Sequence, residues 1–518
     1  MGKSAFSCVF FLWIFCQVHN TVQQSTPSDP FYIASVVEFA PFAIGADKTD
    51  INEQLEGIRT VIQDPNAEKS DIVVFPEGAL NTDGLTYVPE PKDQTIPCEE
   101  LDYHYSLSEL SCYARSIQAY LVANVHEKVL CSGDYQCPKK GYFVFNTNVV
   151  FDRNGMVISK YRKTHLYRNE IYKKFTPREP QIQTFTTDFG VTFGQFICFD
   201  ILFHWPTQSL VHEGISDFVN PNAWFQELPF LTSLQLFQGW SQANNVSLLS
   251  AGLSNPVTGN SGSGIFSRSF GSLAFSITSI PERKIYTAKV PKKNSSYVPK
   301  ITSKPKSPTQ KPNSPFIIKK NVKEILTKRD YNLDLFTTFL LDPIEDNFNK
   351  TMCHGDLCCD FSVTQTLKQI KTDIKFINNL YIGYQYRFVI YSGPGTFQRM
   401  EKSEIGVCAL VACTTRDLSS CGNRSNFPRE RIFLKEQLYF TNITIKAEYR
   451  KRFHMLVMPM TVNSDLETLP TDSYTFEKDD NIYKMSLRKS KMDILTFGLY
   501  GNYFVEKRVK HNIRDGEL

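Results

Sequence analysis

Hydrophobic residues follow two different periods along the first 290 positions of the chain, and each period predicts a different element. Continuous β-branched and aromatic runs predict buried strands, and they lie at 31–37, 72–75, 142–151, 193–199, 217–220 and 247–251. A 3.6-residue spacing predicts two amphipathic helices, one after Asp50 with Ile51, Leu55, Ile58 and Ile62, the other with Leu107, Leu110, Ala114 and Ile117. Alternating strands and helices predict an α/β domain over residues 30–290.

The composition changes after residue 290. Positions 291–318 are dense in Lys, Pro and Ser and hold few apolar residues, which predicts a solvent-exposed linker; a heparin-type basic patch is the alternative. From 319 to 518 the chain is rich in Phe, Tyr, Ile and Thr and has many turn residues. This pattern predicts a second, β-rich domain.

Both ends of the chain carry features that indicate where the protein is located. Residues 1–25 hold Lys3 and then a short apolar stretch, 8–16, which indicates a cleaved signal peptide, with an uncleaved anchor as the alternative. The apolar run at 492–504 is followed by charged residues, whereas a lipid-anchor signal needs a terminal hydrophobic tail. We therefore expect a secreted, extracellular protein with no membrane anchor.

Composition and charge narrow the functional classes. The 518 residues are 42% hydrophobic and 21% charged, which is ordinary for a globular protein, and the formal net charge is +4. So small a charge gives no reason to expect a nucleic-acid partner. The chain has no Gly-rich phosphate loop and no serine nucleophile elbow, and its pattern indicates no particular oligomeric state.

Cysteine usage agrees with export. Of the 13 cysteines, Cys8 and Cys16 leave with the signal peptide, and the remaining eleven cannot all pair within the chain. Six late cysteines can form three bridges, and their spacings do not match zinc pairs: Cys353, Cys358, Cys359, Cys408, Cys413 and Cys421. The odd thiol then belongs to the early set of Cys98, Cys112, Cys131, Cys137 and Cys198, in which a small Cys131–Cys137 loop is expected.

Asn-X-Ser/Thr sequons add a second sign of export and predict a glycoprotein. Asn245 is the doubtful one, because the run after it predicts a buried strand, where a glycan would not fit. The sequons begin at Asn245, Asn294, Asn349, Asn423 and Asn442.

Three segments carry candidate chemistry near predicted strand ends, where an α/β sheet usually presents its site. Glu77 lies in FPEGAL, Lys163 in KYRKTHLY and Cys198 in ICFD. A cysteine attacks an amide as a thiolate, and a carboxylate can take its proton and pass it to the departing amine. A fixed lysine, with a backbone N–H beside the cysteine, can stabilise the oxyanion. Taken singly, the three also fit a capping glutamate, a solvated lysine and an inert core thiol.

Together these segments resemble the Glu, Lys and Cys signatures of the nitrilase superfamily of carbon–nitrogen hydrolases. The resemblance sharpens toward the vanin and biotinidase branch on the segments CFDILFHWP, PNAWFQELP, SGSGIF, MCHGDLCCDF and VCALVACTTRDLSSCG. It implies a four-layer αββα sandwich followed by a β-rich, disulfide-stapled second domain.

The resemblance also implies roles for single residues. Glu77 becomes the general base and acid, Lys163 the oxyanion stabiliser and Cys198 the nucleophile that forms a thioester. Glu127 is expected to help position Lys163. We assign His165 a structural role, because Glu77 already supplies the base, and no cofactor or metal is required.

The implied activity is hydrolysis of a small linear amide, with pantetheine, cleaved to pantothenate and cysteamine, as the first substrate. Biotinidase-like hydrolysis of biocytin or biotinyl amides is the alternative within catalysis. A non-catalytic secreted binding protein on a hydrolase scaffold is the alternative of another class. Trp205 departs from the branch, since an acidic residue follows the histidine there in the vertebrate enzymes, and a change so near Cys198 is a candidate for altered substrate choice.

Overall fold

The computed structural model describes residues 24–42, 50–80, 85–132, 137–299, 324–369, 381–424, 434–452 and 454–504. Nearly all of the predicted signal peptide, most of the predicted linker and the charged tail after residue 504 lie outside these ranges. No helix within them is long and apolar enough to cross a membrane.

The first part of the chain forms strands and helices in alternation. Its strands are β1 (Phe31–Phe39), β2 (Ile72–Val74), β3 (Leu85–Thr86), β4 (Tyr120–Leu130), β5 (Tyr142–Phe151), β6 (Val157–Arg162), β7 (Thr184–Thr186), β8 (Thr192–Gln195), β9 (Asp217–Asn222), β10 (Gln226–Leu228), β11 (Ser247–Gly252), β12 (Ser263–Ser267), β13 (Gly271–Ser276) and β14 (Arg283–Pro291). Its helices are α1 (Ile51–Ile62), α2 (Pro65–Glu68), α3 (Tyr105–Ile117), α4 (Glu170–Lys173), α5 (Ser209–His212) and α6 (Ser233–Asn244).

Two sheets stack face to face in this part of the chain. One has the order β14-β1-β2-β4-β5-β6 with β3 beside β4, and the other has the order β13-β12-β11-β9-β8-β7. Apolar side chains from both sheets fill the space between them, among them Val36, Val74, Phe193 and Leu249. Helices α1 and α3 cover the first sheet and α6 covers the second, so the predicted four-layer αββα sandwich is confirmed.

The local sequence explains these elements. Asp50 caps α1 by accepting a hydrogen bond from the N–H of Asn52, and Leu55, Ile58 and Ile62 point into the core, as their spacing predicted. Strand β2 is an Ile-Val-Val run buried on both faces between parallel neighbours β1 and β4.

The second part is almost entirely strand. It comprises β15 (Thr327–Arg329), β16 (Thr337–Leu340), β17 (Asn347–His354), β18 (Leu357–Gln369), β19 (Tyr381–Ile382), β20 (Gln385–Phe397), β21 (Met400–Cys413), β22 (Leu434–Glu448), β23 (Met455–Asn463), β24 (Tyr474–Asp479), β25 (Ile482–Leu487) and β26 (Ile494–Tyr503). One sheet has the order β16-β20-β21-β26-β23, and the other β17-β18-β22-β25-β24 with β19 beside β22. An apolar core lies between them.

The disulfides follow the predicted division of the cysteines. The three late bridges and the Cys131–Cys137 loop are confirmed, and Cys359–Cys408 ties β18 to β21 across the two late sheets. Cys198 is the free thiol of the described chain. The bridges are Cys98–Cys112, Cys131–Cys137, Cys353–Cys358, Cys359–Cys408 and Cys413–Cys421.

The two parts share one buried interface. Helix α6 packs against β23, and a Cβ built on Gly239 of α6 would lie 2.7 Å from the carbonyl oxygen of Pro459, so glycine permits the close approach. Strand β10 pairs in parallel with β15. One apolar cluster therefore continues from Cys198 and Trp224 of the first part to Phe397 of the second.

Candidate active site

Glu77 follows the central strand β2 and is buried. It lies in a turn beside Gly78, whose φ of 76° suits glycine. Its Oε1 accepts hydrogen bonds of 2.7 Å from both Lys163 Nζ and Asn146 Nδ2. Its Oε2 accepts from the backbone N–H of Ala223 at 3.2 Å. The carboxylate is thus fixed by three donors from three different segments, one in β5, one just after β6 and one just after β9.

Lys163 directly follows β6, where its backbone N–H donates to the carbonyl of Asn146 at 2.8 Å. The side chain is 1% exposed. Its ammonium group lies 2.7 Å from Glu77 Oε1 and 2.7 Å from Glu170 Oε2. A buried charge is stable only when it is paired, and Lys163 has two carboxylates to pair with.

Cys198 begins a short 3₁₀ helix, Cys198–Leu202, three residues beyond β8. The predicted strand 193–199 therefore ends early, at Gln195, and the nucleophile candidate lies in a tight turn with φ of 50°. Its N–H donates to Asn220 Oδ1 at 2.9 Å. Its thiol lies close enough to the Glu77 carboxylate, the Lys163 ammonium and the Ala223 N–H for all three to act on its pKa. The structure thus brings Glu77, Lys163 and Cys198 together.

The charges of the site act on the thiol and the lysine in different ways. Burial raises the pKa of Cys198 well above its usual value, Glu77 raises it further, and Lys163 opposes them. Burial alone would lower the pKa of Lys163, but Glu170 and Glu77 raise it well above the usual value. These shifts favour a protonated thiol and a charged lysine.

Asp200 fixes the turn that carries Cys198. Its Oδ1 accepts from the backbone N–H and the Nδ1 of His165, each at 2.9 Å. Its Oδ2 accepts from Tyr161 Oη at 2.8 Å and from the N–H of Ile197 at 3.1 Å. The His165 ring also stacks on Phe203 with centroids 3.7 Å apart. His165 thus helps to hold the turn that carries Cys198, through Asp200.

The expected role of Glu127 is wrong in this structure. Glu127 is 1% exposed and pairs with Lys160 at 3.0 Å and with Arg162 at 2.7 Å. Lys160 and Arg162 lie on one face of β6, two residues apart, whereas Lys163 follows the strand end. Glu170 holds Lys163 instead.

Trp205 is 39% exposed, and its ring lies 5.6 Å from the ring of His204. Its effect on substrate choice stays a prediction.

Three polar residues of the site were not predicted. Glu170 comes seven residues after Lys163, just beyond the KYRKTHLY motif, and that short spacing was the available signal. Asn146 is a polar residue inside the buried strand β5, where an amide needs a partner. Asn220 is likewise a polar residue inside a buried strand, β9.

The described residues contain no group of three or more His, Cys, Asp or Glu side chains that could hold a metal ion. The late cysteines are disulfide-bonded, which removes the zinc interpretation of their spacing.

Two protein families match the two parts of the chain separately. Residues 34–238 match the carbon–nitrogen hydrolase family, and residues 325–507 match the vanin C-terminal domain. Vanin-like protein 2 of Drosophila melanogaster is 36% identical over 96% of this chain and 94% of its own. The chain belongs to the vanin-like carbon–nitrogen hydrolases.

Other relatives of this vanin-like chain are more distant. The pantetheinase of Mus musculus is 28% identical over 88% of this chain and 83% of its own. The solved structure of Nit3 of Saccharomyces cerevisiae, a member of branch 10 of the nitrilase superfamily, covers 52% of this chain and 93% of that one, at 18% identity and a TM-score of 0.38. Membership of the family makes this vanin-like chain a hydrolase of carbon–nitrogen bonds in amides other than peptides.

Proposed function

We propose that this chain is a secreted amidase that hydrolyses pantetheine to pantothenate and cysteamine through a thioester on Cys198. The observation that carries the proposal is the placement of the Lys163 ammonium 2.7 Å from Glu77, beside the Cys198 thiol. The choice of pantetheine is supported by relatives named pantetheinase in mouse and human.

In the first half-reaction Glu77 takes the proton from Cys198 Sγ as the sulfur attacks the amide carbonyl carbon. The carbonyl oxygen becomes an oxyanion, which the Lys163 ammonium and a backbone N–H beside Cys198 stabilise. The C–N bond then breaks, and Glu77 gives its proton to the departing amine nitrogen. The acyl group remains on Cys198 as a thioester.

In the second half-reaction water attacks the thioester carbonyl. Glu77 takes a proton from the water, and the same donors stabilise the second oxyanion. Breakage of the C–S bond releases the carboxylic acid, and the proton returns to Cys198. Glu170 takes no proton in this scheme, because Lys163 and Lys174 hold its pKa below the usual value against the effect of burial.

The test is hydrolysis of a pantothenoyl amide and a biotinyl amide by the purified secreted protein. We expect release of pantothenate, and we expect Cys198→Ala to abolish it. Biotin release that depends on Cys198 would replace the proposed substrate with a biotinyl amide. Hydrolysis that persists in Cys198→Ala would contradict the assigned nucleophile.

Thiol labelling separates these enzyme functions from a non-catalytic scaffold. The folded, non-reduced protein should label at one cysteine, Cys198, and labelling should slow when Lys163 is changed to Met. An unreactive Cys198 in a protein that hydrolyses neither amide would favour the scaffold.

Secretion and glycosylation are part of the same proposal. The five disulfides favour an oxidising compartment. Asn294, Asn349 and Asn423 are exposed. Asn245 is exposed as well, because it lies before the buried strand β11, which begins at Ser247. Expressing cells should release the protein into the medium without phospholipase treatment, and glycosidase should lower its mass. Retention of the protein on the cells would contradict the proposed secretion.

We also propose the division into a signal peptide at 1–25, a hydrolase domain at 30–290, a linker at 291–318 and a β-rich domain at 319–518. Limited trypsin digestion should cut first within 291–318 and leave two fragments that stay associated. First cuts elsewhere would contradict this division.

A further inference from the structure

The second domain reaches the candidate active site through one hairpin turn. Strands β20 and β21 are joined by the 397–400 turn, whose central residues Gln398 and Arg399 have φ of 48° and 72°. A two-residue turn with both central residues left-handed favours Asn and Gly, because other residues are strained there by about 1–2 kcal/mol each. Such strain persists only where the surroundings impose it, and it concentrates at functional sites.

Aromatic residues of the first domain surround the start of this turn. Phe397 is 2% exposed, and its ring stacks on Trp224 with centroids 4.5 Å apart. The rings of Tyr167 and Phe199 lie 5.7 and 6.0 Å from it. Phe199 is the residue after Cys198, and both belong to the same buried cluster as Phe397. The turn therefore lies against the residues that surround the nucleophile.

The orientation of the Gln398 carboxamide follows from its partners. Its oxygen accepts hydrogen bonds from Arg168 Nη2 at 2.7 Å and Lys328 Nζ at 2.9 Å. Both partners can only donate, so this arm of the amide is the oxygen and the other arm is Nε2. The backbone N–H of Gln398 donates to Glu227 Oε2 at 2.7 Å. The turn is thus anchored, and its carboxamide cannot flip without losing both cationic donors.

Two buried donors in this region have no partner among the described residues. They are Gln398 Nε2, in a side chain that is 4% exposed, and Tyr167 Oη. A buried donor without a partner costs about 1–3 kcal/mol, so buried donors are normally paired. The backbone N–H of Tyr167 donates to Glu170 Oε2 at 3.0 Å, which connects this tyrosine to the residue that holds Lys163.

We propose that Gln398 Nε2 and Tyr167 Oη donate hydrogen bonds to substrate oxygen atoms outside the scissile amide, so that the second domain helps to select the substrate. The inference rests on the proposed amidase function and specifies its substrate class: an amide whose chain carries hydroxyl or carbonyl oxygens. A site built to hydrogen-bond such oxygens discriminates against a plain alkyl chain, which would leave the buried donors unpaired.

The test compares two chloroacetamides of equal length as alkylating probes for Cys198, one with hydroxyl and carbonyl oxygens along its chain and one with a plain alkyl chain. The readout is the ratio of the two second-order labelling rates in the full-length secreted protein, measured by mass spectrometry. Gln398→Glu keeps the oxygen that accepts from Arg168 and Lys328 and replaces the donor with an acceptor. Its added charge changes the reactivity of Cys198 equally toward both probes, so the ratio isolates recognition.

We expect the wild-type protein to prefer the oxygen-bearing probe, and Gln398→Glu to reduce the ratio about tenfold, the effect of one lost hydrogen bond of this kind. Tyr167→Phe keeps the ring, removes only the hydroxyl and should also reduce the ratio. Gln63→Glu makes the same chemical change at an exposed position and Arg399→Gly relaxes the turn; both should keep the ratio.

An equal ratio in wild type, Gln398→Glu and Tyr167→Phe would overturn the inference and leave water as the partner of both donors. A protein that hydrolyses no amide would contradict the proposed function alone, because the labelling ratio does not depend on hydrolysis. Secretion yield and melting temperature identify a variant that does not fold, and the other variant then decides.

Discussion

Glu170 and Lys163 form a buried ion pair, with 2.7 Å between Oε2 and Nζ, at the first residue of α4. Lys174 lies 3.1 Å from the other oxygen of Glu170, and Asn146 donates to that same oxygen. Lys163 is thus held between Glu170 and the base candidate, Glu77. Glu170 fixes where the lysine charge lies, and the proposed mechanism gives it no part in the proton transfers.

Replacing Glu170 with Gln should lower kcat by about 10- to 100-fold with little change in KM. The glutamine side chain lacks the negative charge that positions Lys163. Its NH2 group must also face either Lys163 or Asn146, both of which are donors themselves. Steady-state kinetics on the amide that proves to be the substrate measures the effect. Lys174→Gln is the matched control, since it removes only the outer partner of Glu170 and should cost less than fivefold. An equal loss in both variants would contradict the positioning role.

Two substitutions beside Cys198 should move its pKa in opposite directions. Burial and Glu77 raise the pKa of the thiol, whereas Lys163 lowers it. Glu77→Gln removes the negative charge, so the pH midpoint of labelling should fall; Lys163→Met removes the positive charge, so the midpoint should rise. The measurement is the rate of Cys198 alkylation by iodoacetamide against pH. Shifts of the same sign in both variants would show that these charges do not control the thiol.

The sequence predicted the three candidate catalytic residues because each lies in a short contiguous motif. It misassigned the partner of Lys163, because the family resemblance placed that role on Glu127, which lies within β4, whereas the actual partner, Glu170, begins α4. Glu170 reaches Lys163 because the chain continues past β6 into α4. Glu127 instead forms ion pairs with Lys160 and Arg162 of β6.

Contacts between distant parts of the chain were not predictable in the same way. Gln398 contacts Arg168 across 230 residues, and no periodicity or motif encodes such a pairing. The left-handed turn at Cys198 was also missed, because its apolar neighbours favour a strand. The turn is held by hydrogen bonds from the N–H groups of His165 and Ile197 to Asp200, and the structure, not the sequence, shows these bonds.

Removing the Cys359–Cys408 bridge should destabilise the protein more than removing the Cys131–Cys137 bridge. The first closes a loop of 49 residues and the second a loop of 6. Loop-closure entropy gives losses of about 4 and about 2 kcal/mol in the free energy of unfolding, respectively. Urea unfolding of the two double Cys→Ala variants, under non-reducing conditions, measures the difference. Equal losses would show that native-state effects outweigh the chain entropy.

Glu38 should make the stability of the first domain depend on pH. Its carboxyl is fully buried and hydrogen-bonded to the hydroxyls of Ser261 and Ser263, each at 2.6 Å. Burial raises its pKa from 4.5 to about 8, so the folded protein keeps a proton that the unfolded chain loses near pH 4.5. The stabilisation is fully present below pH 4.5 and is lost as the pH rises through 8.

Glu38→Gln stays neutral, so its free energy of unfolding should change less between pH 5 and pH 8.5 than that of the wild type. The measurement is urea unfolding at three pH values across that range, with the variant compared with the wild type at each pH. Glu68→Gln, at an exposed position, is the control and should follow the wild-type slope. Parallel curves for wild type and Glu38→Gln would mean that Glu38 is already ionised in the folded protein, with Ser261 and Ser263 stabilising the charge.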